Sequence, residues 1–383
     1  MSVYLDYNAS SPLDPRVLEV MIDVYKNYIG NSDSRTHDFG DRARGIVENS
    51  RKQVASLLGI SAGEVFFTSG ATESNNIAIQ GLKFYAEESG KKHIITSTIE
   101  HKAVLETAKH LERNGFEVDY ISPNESGRID AKDLLSKVRQ DTLLVTLMHV
   151  NNETGIIQPV DEIGNALAET NVLFHIDATQ SCGKLVDEIR DLKYNMLSFS
   201  AHKLCGPQGI GCLVLRKKRY KLPPVRNIMF GGQQEHGIRP GTVPVALTAG
   251  CGKACELAHN EHVEAEKNNK KIRDLLLELL DNSGIKYIIN GDPHYCINST
   301  LNVSFEGVSS EALMIASKQY CSISNGSACT SNSYSPSYVL SSMGLSNDRI
   351  ESSVRISWGN GLDIKVLKDQ FSMLLGIVTK FAG

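Results

Sequence analysis

From about residue 64 onward, short runs of β-branched and apolar residues alternate with amphipathic stretches, which predicts parallel strands joined by crossover helices. The run EVFFTSG (64–70) reads as a strand ending in a glycine turn, and ATESNN then opens a helix to about Glu88. HIITS (93–97) reads as the next strand. In the following HKAVLETAKHLERNG, Val104, Leu105, Ala108 and Leu111 recur at helical spacing, and Gly115 suits a C-terminal cap. FEVDYI, TLLVTLMHV, VLFHID, MLSFSAH and GCLVLR predict further strands, so this part reads as a doubly wound, mainly parallel sheet. Past Val243 long helical stretches take over. LNVSFEG (301–307), CSISNG (321–326) and SVRISWG (353–359) then alternate with helices, which predicts a second, α+β unit.

At 383 residues the chain is about twice the usual domain size, which agrees with two units. Hydrophobic residues make up 41% and charged residues 22%, the balance of a globular enzyme. A net charge of -4 gives no general electrostatic reason to bind nucleic acid or an anionic membrane. The N-terminal MSVYLDYNASSP has no basic segment followed by an apolar run, and no later window reaches the roughly 18 apolar residues of a membrane span. A cytoplasmic location is expected. The 8 cysteines are scattered without a CxxC pair, so neither structural zinc nor a disulfide framework is expected. Cys251 and Cys255, four apart on a predicted helix, fit a shared buried face better than a shared metal.

Candidate chemistry gathers at strand ends, where open α/β sheets bind ligands. At Ser69-Gly70-Ala71-Thr72 a glycine turn opens a helix whose N-H groups suit a phosphate, although Thr72 also suits a plain cap. Asp177, ending VLFHID, is a carboxylate that needs a cation or donor, either a protonated heterocycle or the following turn. Lys203, after Ser200 and His202 in SFSAHKLCGPQGIG, sits where a lowered pKa would favour a Schiff base, or else reaches back to solvent. His101 is a general acid/base, a ring stacked on an aromatic cofactor, or structural. Taken jointly, a phosphate cradle, a carboxylate for a ring nitrogen, a Schiff-base lysine and a flat histidine describe a pyridoxal 5'-phosphate (PLP) site.

The motifs YLDYNASSPLDPRV, NSDSRTHDFG, FTSGATESNNIAI, HIITSTIEHKAVL, MHVNNETGIIQP, HIDATQSCGK, SFSAHKLCGPQGIG, GIRPGT and GSACTSNSYSPSYVL, in that order, resemble the NifS/IscS type of cysteine desulfurase, class-V aminotransferases of the fold-type I PLP enzymes. The resemblance implies a large PLP-binding α/β domain over 15–254 and a smaller α+β domain formed by 1–14 and 255–383. It implies that Lys203 carries the cofactor as a Schiff base, Asp177 pairs with the ring nitrogen, Gln180 bonds the ring oxygen and His101 stacks on the ring and assists proton transfer. Phosphate contacts would come from Ala71, Thr72, Ser200 and His202, with Thr242 of a second subunit, which implies a homodimer. Arg355, helped by Asn152, which would also contact the cofactor, would hold the carboxylate of L-cysteine.

Cys329 lies in ISNGSACTSNS, small polar residues without periodicity, which reads as a mobile loop. As a bare thiol it is an ordinary cysteine; the resemblance makes it the nucleophile that takes sulfur as a persulfide and passes it to an acceptor protein. Asn325, Gln233 and His236 depart from the family pattern in the nucleophile loop and in GGQQEHGIRPGT. Stretches such as FEVDYISPNESGRI and IMFGGQQEHGIRPGT are similar to the branch serving DNA backbone phosphorothioation. Sulfur supply for iron-sulfur clusters or tRNA thiolation, and a related selenocysteine lyase or transaminase, are the alternatives. A PLP-stabilised interaction scaffold is the non-enzymatic one.

Overall fold

The structure is a computed structural model that describes residues 2–325 and 336–382. Its strands, in chain order, are β1 (Val3–Tyr4), β2 (Val65–Thr68), β3 (His93–Ser97), β4 (Glu117–Ile121), β5 (Thr142–Met148), β6 (Leu173–Asp177), β7 (Met196–Ser200), β8 (Gly211–Leu215), β9 (Tyr287–Ile289), β10 (Thr300–Phe305), β11 (Cys321–Ser322) and β12 (Ser353–Ser357). Seven of them form one sheet in the order β2-β8-β7-β6-β5-β3-β4. β8 runs antiparallel to both of its neighbours, and the remaining pairings are parallel. Every residue of β5 and of β7 is buried, as continuous apolar runs in a sheet covered on both faces require. β12, β10 and β9 form a separate antiparallel sheet, and β1 pairs with β11.

Two predicted elements differ in the structure. The helix expected from residue 71 to about Glu88 is split into Ala71–Gln80 and Lys83–Ser89. At the break the Gly81 carbonyl, which a continuous helix would bond to residue 85, accepts the Arg226 N-H instead (2.9 Å). CSISNG yields only the two residues of β11, because the backbone of Ser324 turns to pair with Arg355 of β12. Gly115, by contrast, closes its helix as expected: at φ 84 its N-H bonds the Glu112 carbonyl while that of Phe116 bonds Leu111.

Helix Val245–Asp281, 37 residues long, joins the two cores. Its first part places Cys251 and Cys255 in the large core with Cys212 and Cys182; Ile272, Leu276 and Leu280 belong to the core around β10 and β12. The expected boundary at 254/255 falls within this helix. Cys251 and Cys255 are fully buried, with the Cys251 sulfur 4.0 Å from that of Cys212, so their shared face is a packing face. No helix among the described residues is long and apolar enough to cross a membrane.

The segment containing Gln233 and His236 is pinned from beneath. Glu235 and His236 adopt left-handed backbone (φ 47 and 55), which costs energy for residues with a Cβ. The buried Glu235 carboxylate accepts from Arg51 Nη1 and Nη2 (2.7 and 2.8 Å) and from the Phe67 N-H (2.8 Å). His236 itself is exposed, its ring edge-on to Phe66. Glu235→Ala leaves the buried Arg51 guanidinium only the Val65 carbonyl and the more exposed Glu48 (3.2 Å), and is expected to cost about 3 kcal/mol. Urea unfolding monitored by tryptophan fluorescence checks this; an unchanged midpoint would show that the pair contributes nothing to stability.

Candidate active site

The carboxyl ends of β2, β3, β5, β6 and β7 open onto one cavity of about 470 Å³. Gly70, Ala71 and Thr72 reach it from the end of β2, His101 from the turn after β3, and Asn152 from the turn after β5. Asp177 and Gln180 follow from β6, and Ser200, His202 and Lys203 from β7. Arg355, on β12 of the smaller sheet, closes the opposite side. The strands are mostly apolar and fully or nearly fully buried, and the polar residues that line the cavity lie at or just after their carboxyl ends.

At the cavity floor the Asp177 carboxylate accepts from Asn75 Nδ2 (2.8 Å) and the Thr179 N-H (3.0 Å). Lys203 Nζ donates to the carbonyls of Asn8 and Ala9, both at 2.6 Å. Gln180 gives one amide hydrogen to the Asn8 carbonyl (2.9 Å) and accepts from Lys184 Nζ (3.4 Å), which leaves a second amide hydrogen for a ligand.

The glycine turn is a backbone cradle. Gly70 has φ 153, a value that excludes a side chain, and a Cβ on Gly211 would stand 2.6 Å from the Gly70 Cα. The helix Ala71–Gln80 starts here, and the first-turn N-H groups have no intrahelical partner. Glu73 takes the Ser69 N-H and pairs with Arg239 (3.1 Å). The N-H groups of Ala71 and Thr72 thus stand beside Ser200 and His202 on the cavity wall. Burial first, and then the charge of Lys203, push the His202 imidazole down to about 4, so it is neutral at pH 7.

His101 caps helix Lys102–Glu112 by accepting the Ala103 N-H at Nδ1 (3.1 Å). The proton of the neutral ring is therefore on Nε2. Desolvation is the main cause holding its pKa below the ordinary histidine value; Lys203 and Lys102 add to this and Asp177 opposes it. Arg355 is buried, with Nη2 on Asp6 (2.6 Å) and Nη1 on the Asn152 carbonyl (2.9 Å). Its Nε and the side-chain oxygen of Asn152 are buried without a partner among the described residues. Orphaned groups at the edge of a cavity invite a polar ligand.

Thr242 is exposed and does not line this cavity of its own chain. Cys329 lies outside the described residues, but Ser324 before it pairs with Arg355, and Pro336 after it lines the cavity. Sequence reasoning did not single out Asn8, Asp6, Asn75, Glu100 or Tyr338. Asp6 and Asn8 stand within YLDYNASSP and Asn75 within FTSGATESNN, so the motifs carried them, but nothing local says that they meet Arg355, Lys203 and Asp177.

A lysine amine, a buried carboxylate and an N-terminal helix cradle around one cavity at the strand ends define the fold and site of a fold-type I PLP enzyme. The chain belongs to the aminotransferase class-V family, whose model matches residues 3–364. It is 45% identical over 366 residues to the cysteine desulfurase IscS of Photorhabdus laumondii, covering 94% of this chain and 88% of that one. Among solved structures, a NifS-like protein superposes with a TM-score of 0.91 at 36% identity, covering 99% of this chain and all of the other (100%). DndA from Streptomyces lividans superposes with 0.81 at 41% identity, covering 91% and 97%.

The cofactor of this family is PLP, and the residues present fit it. The glycine-shaped cradle at a helix N-terminus suits a phosphate, Lys203 supplies the amine, and Asp177 is the anion that a protonated pyridine nitrogen needs.

Proposed function

We infer that this chain is a PLP-dependent cysteine desulfurase, which converts L-cysteine to L-alanine and transfers the sulfur as a persulfide on Cys329. The observation that carries the reading is the convergence of Lys203, Asp177, His101 and Arg355 on a single cavity from four separate elements. When bound, the cofactor supplies an electron sink for a carbanion at the substrate α-carbon.

The chain's own residues do the rest. Ala71, Thr72, Ser200 and His202 hold the phosphate, with Thr242 completing that site from the second subunit of a homodimer. Gln180 offers its remaining amide hydrogen to the ring oxygen. Asp177, kept ionised by donors from Asn75 and Thr179, holds the ring nitrogen protonated. Arg355 would present its unpartnered Nε-H to the substrate carboxylate, with the side-chain amide N-H of Asn152 as the second donor, which fixes the amino acid for proton transfer. Lys203 would be the amine that holds the cofactor, and at the edge of the cavity it would also be placed to move the substrate α-proton. His101 would lie against the ring and could exchange a proton at Nε2, since its Nδ1 is occupied by the Ala103 N-H.

Cys329 then attacks the substrate sulfur as a thiolate. The S-S bond forms as the substrate C-S bond breaks, the electron pair returns to carbon, and protonation releases alanine. The persulfide passes to an acceptor protein in the cytoplasm. Similarity to DndA, together with the sequence stretches noted above, favours an acceptor in DNA phosphorothioation.

Wild-type protein given L-cysteine and a thiol reductant is expected to release alanine and sulfide in equal amounts. Turnover of selenocysteine but not cysteine would replace the reading with a selenocysteine lyase. For the pathway, protein charged with labelled sulfur and mixed with extract of its own cells should pass the label to a DNA-modification protein; transfer to an iron-sulfur scaffold or a tRNA-thiolation protein would overturn that assignment.

A further inference from the structure

Glu100 immediately precedes His101 and is fully buried. Its Oε1 accepts from Ser97 Oγ (2.6 Å) and from the Met148 N-H (3.0 Å). Ser97 ends β3 and Met148 ends the adjacent β5, and Met148 is in register with Asp177 on β6. The backbone carbonyl of Glu100 accepts the Tyr338 hydroxyl (2.7 Å), and Tyr338 and Met148 both line the cavity. One residue therefore joins the ends of two strands to the turn that launches His101, and joins that turn to the segment returning from the smaller domain.

We propose that Glu100 is a positioning residue for the reaction: its carboxyl, as an acceptor for Ser97 and Met148, holds the 97–101 turn so that His101 meets the cavity and Tyr338 packs against it. This deepens the desulfurase reading and rests on it. The role calls for an acceptor, not a charge. Oε2 is buried and has no partner among the described residues, a setting that disfavours the ionised carboxylate. Burial pushes the carboxyl up to about 8, with the charge of Asp177 adding to the shift and the two donated hydrogen bonds opposing it. Ionisation would set a second negative charge in the interior within reach of Asp177.

Because glutamine keeps the carbonyl acceptor and leucine keeps only the bulk, the pair E100Q and E100L separates acceptor from filler. E100Q is expected to keep kcat within about 3-fold of wild type, whereas E100L lowers it roughly 10- to 100-fold while KM for L-cysteine stays within about 2-fold, the split expected when a reacting group is misplaced. In the cofactor-free protein, amide exchange at Met148 should be as slow in E100Q as in wild type and faster in E100L. If E100L does not fold, Ser97→Ala takes its place, with an expected loss of about 10-fold in kcat. Wild-type kcat in E100L or Ser97→Ala, or a loss in folded E100Q as large as in E100L, would overturn the proposal. Wild-type protein assayed in parallel separates this from a failure of the desulfurase reading itself, which would show as no alanine from any variant.

Discussion

Lys203→Ala is expected to abolish covalent attachment of PLP and to lower alanine production from L-cysteine by roughly 10⁴-fold, the upper range for loss of a proton-transferring group. The lysine combines two roles that no neighbour can assume. Its amine is held at 2.6 Å by the carbonyls of Asn8 and Ala9, on a short 3-10 turn that leaves a fully buried strand. Lys102 also borders the cavity but opens the helix after His101, and Lys184 donates to Gln180 and is depressed to about 8, chiefly by burial. The variant should still fold, because the side chain borders the cavity instead of filling the core. Borohydride treatment followed by peptide mapping is the check: the reduced cofactor should be found on Lys203 in wild type and on no residue in the variant. Attachment elsewhere in the variant, with turnover intact, would remove Lys203 from its role.

The second large effect is expected at Arg355. Arg355→Lys keeps a positive charge but loses the planar fork, so it cannot hold Asp6 and the Asn152 carbonyl and still present a donor to the substrate carboxylate. A lost charge-assisted hydrogen bond is worth about 1.5–3 kcal/mol, so kcat/KM for L-cysteine should fall roughly 10- to 100-fold, mostly through KM. Cofactor binding should be unchanged, since Arg355 lies on β12, across the cavity from the cradle of Ala71 and Thr72. A steady-state comparison decides: an unchanged KM would mean that the substrate carboxylate is held elsewhere.

Much of this architecture was legible in the chain because its signals are local. Apolar runs that end in polar residues located β2, β3, β5, β6 and β7, and those ends already named Asp177, His101 and Lys203. What the sequence did not disclose is contact between distant segments. Asn8 meets Lys203 across 195 positions and Asp6 meets Arg355 across 349, and no periodicity marks either pair. The break at Gly81 was likewise hidden, since it depends on Arg226 donating to a carbonyl from far along the chain. Glu100 passed unnoticed for a related reason: a carboxylate beside a histidine reads as a solvated side chain until the N-H of Met148, at the end of β5, is known to donate to it. Cys329, placed by its GSACTS motif alone, lies outside the described residues. Its role is therefore the point on which experiment bears hardest.

The most direct measurement is the mass of the peptide containing residue 329 after brief exposure of the holoenzyme to L-cysteine labelled with heavy sulfur, followed by alkylation without reductant. Wild-type protein should carry one additional labelled sulfur atom on Cys329, with one alanine released for each, and Cys329→Ala should bind cofactor and substrate yet gain no sulfur. Labelled sulfur on another cysteine, or alanine formed at the wild-type rate by Cys329→Ala, would contradict the account.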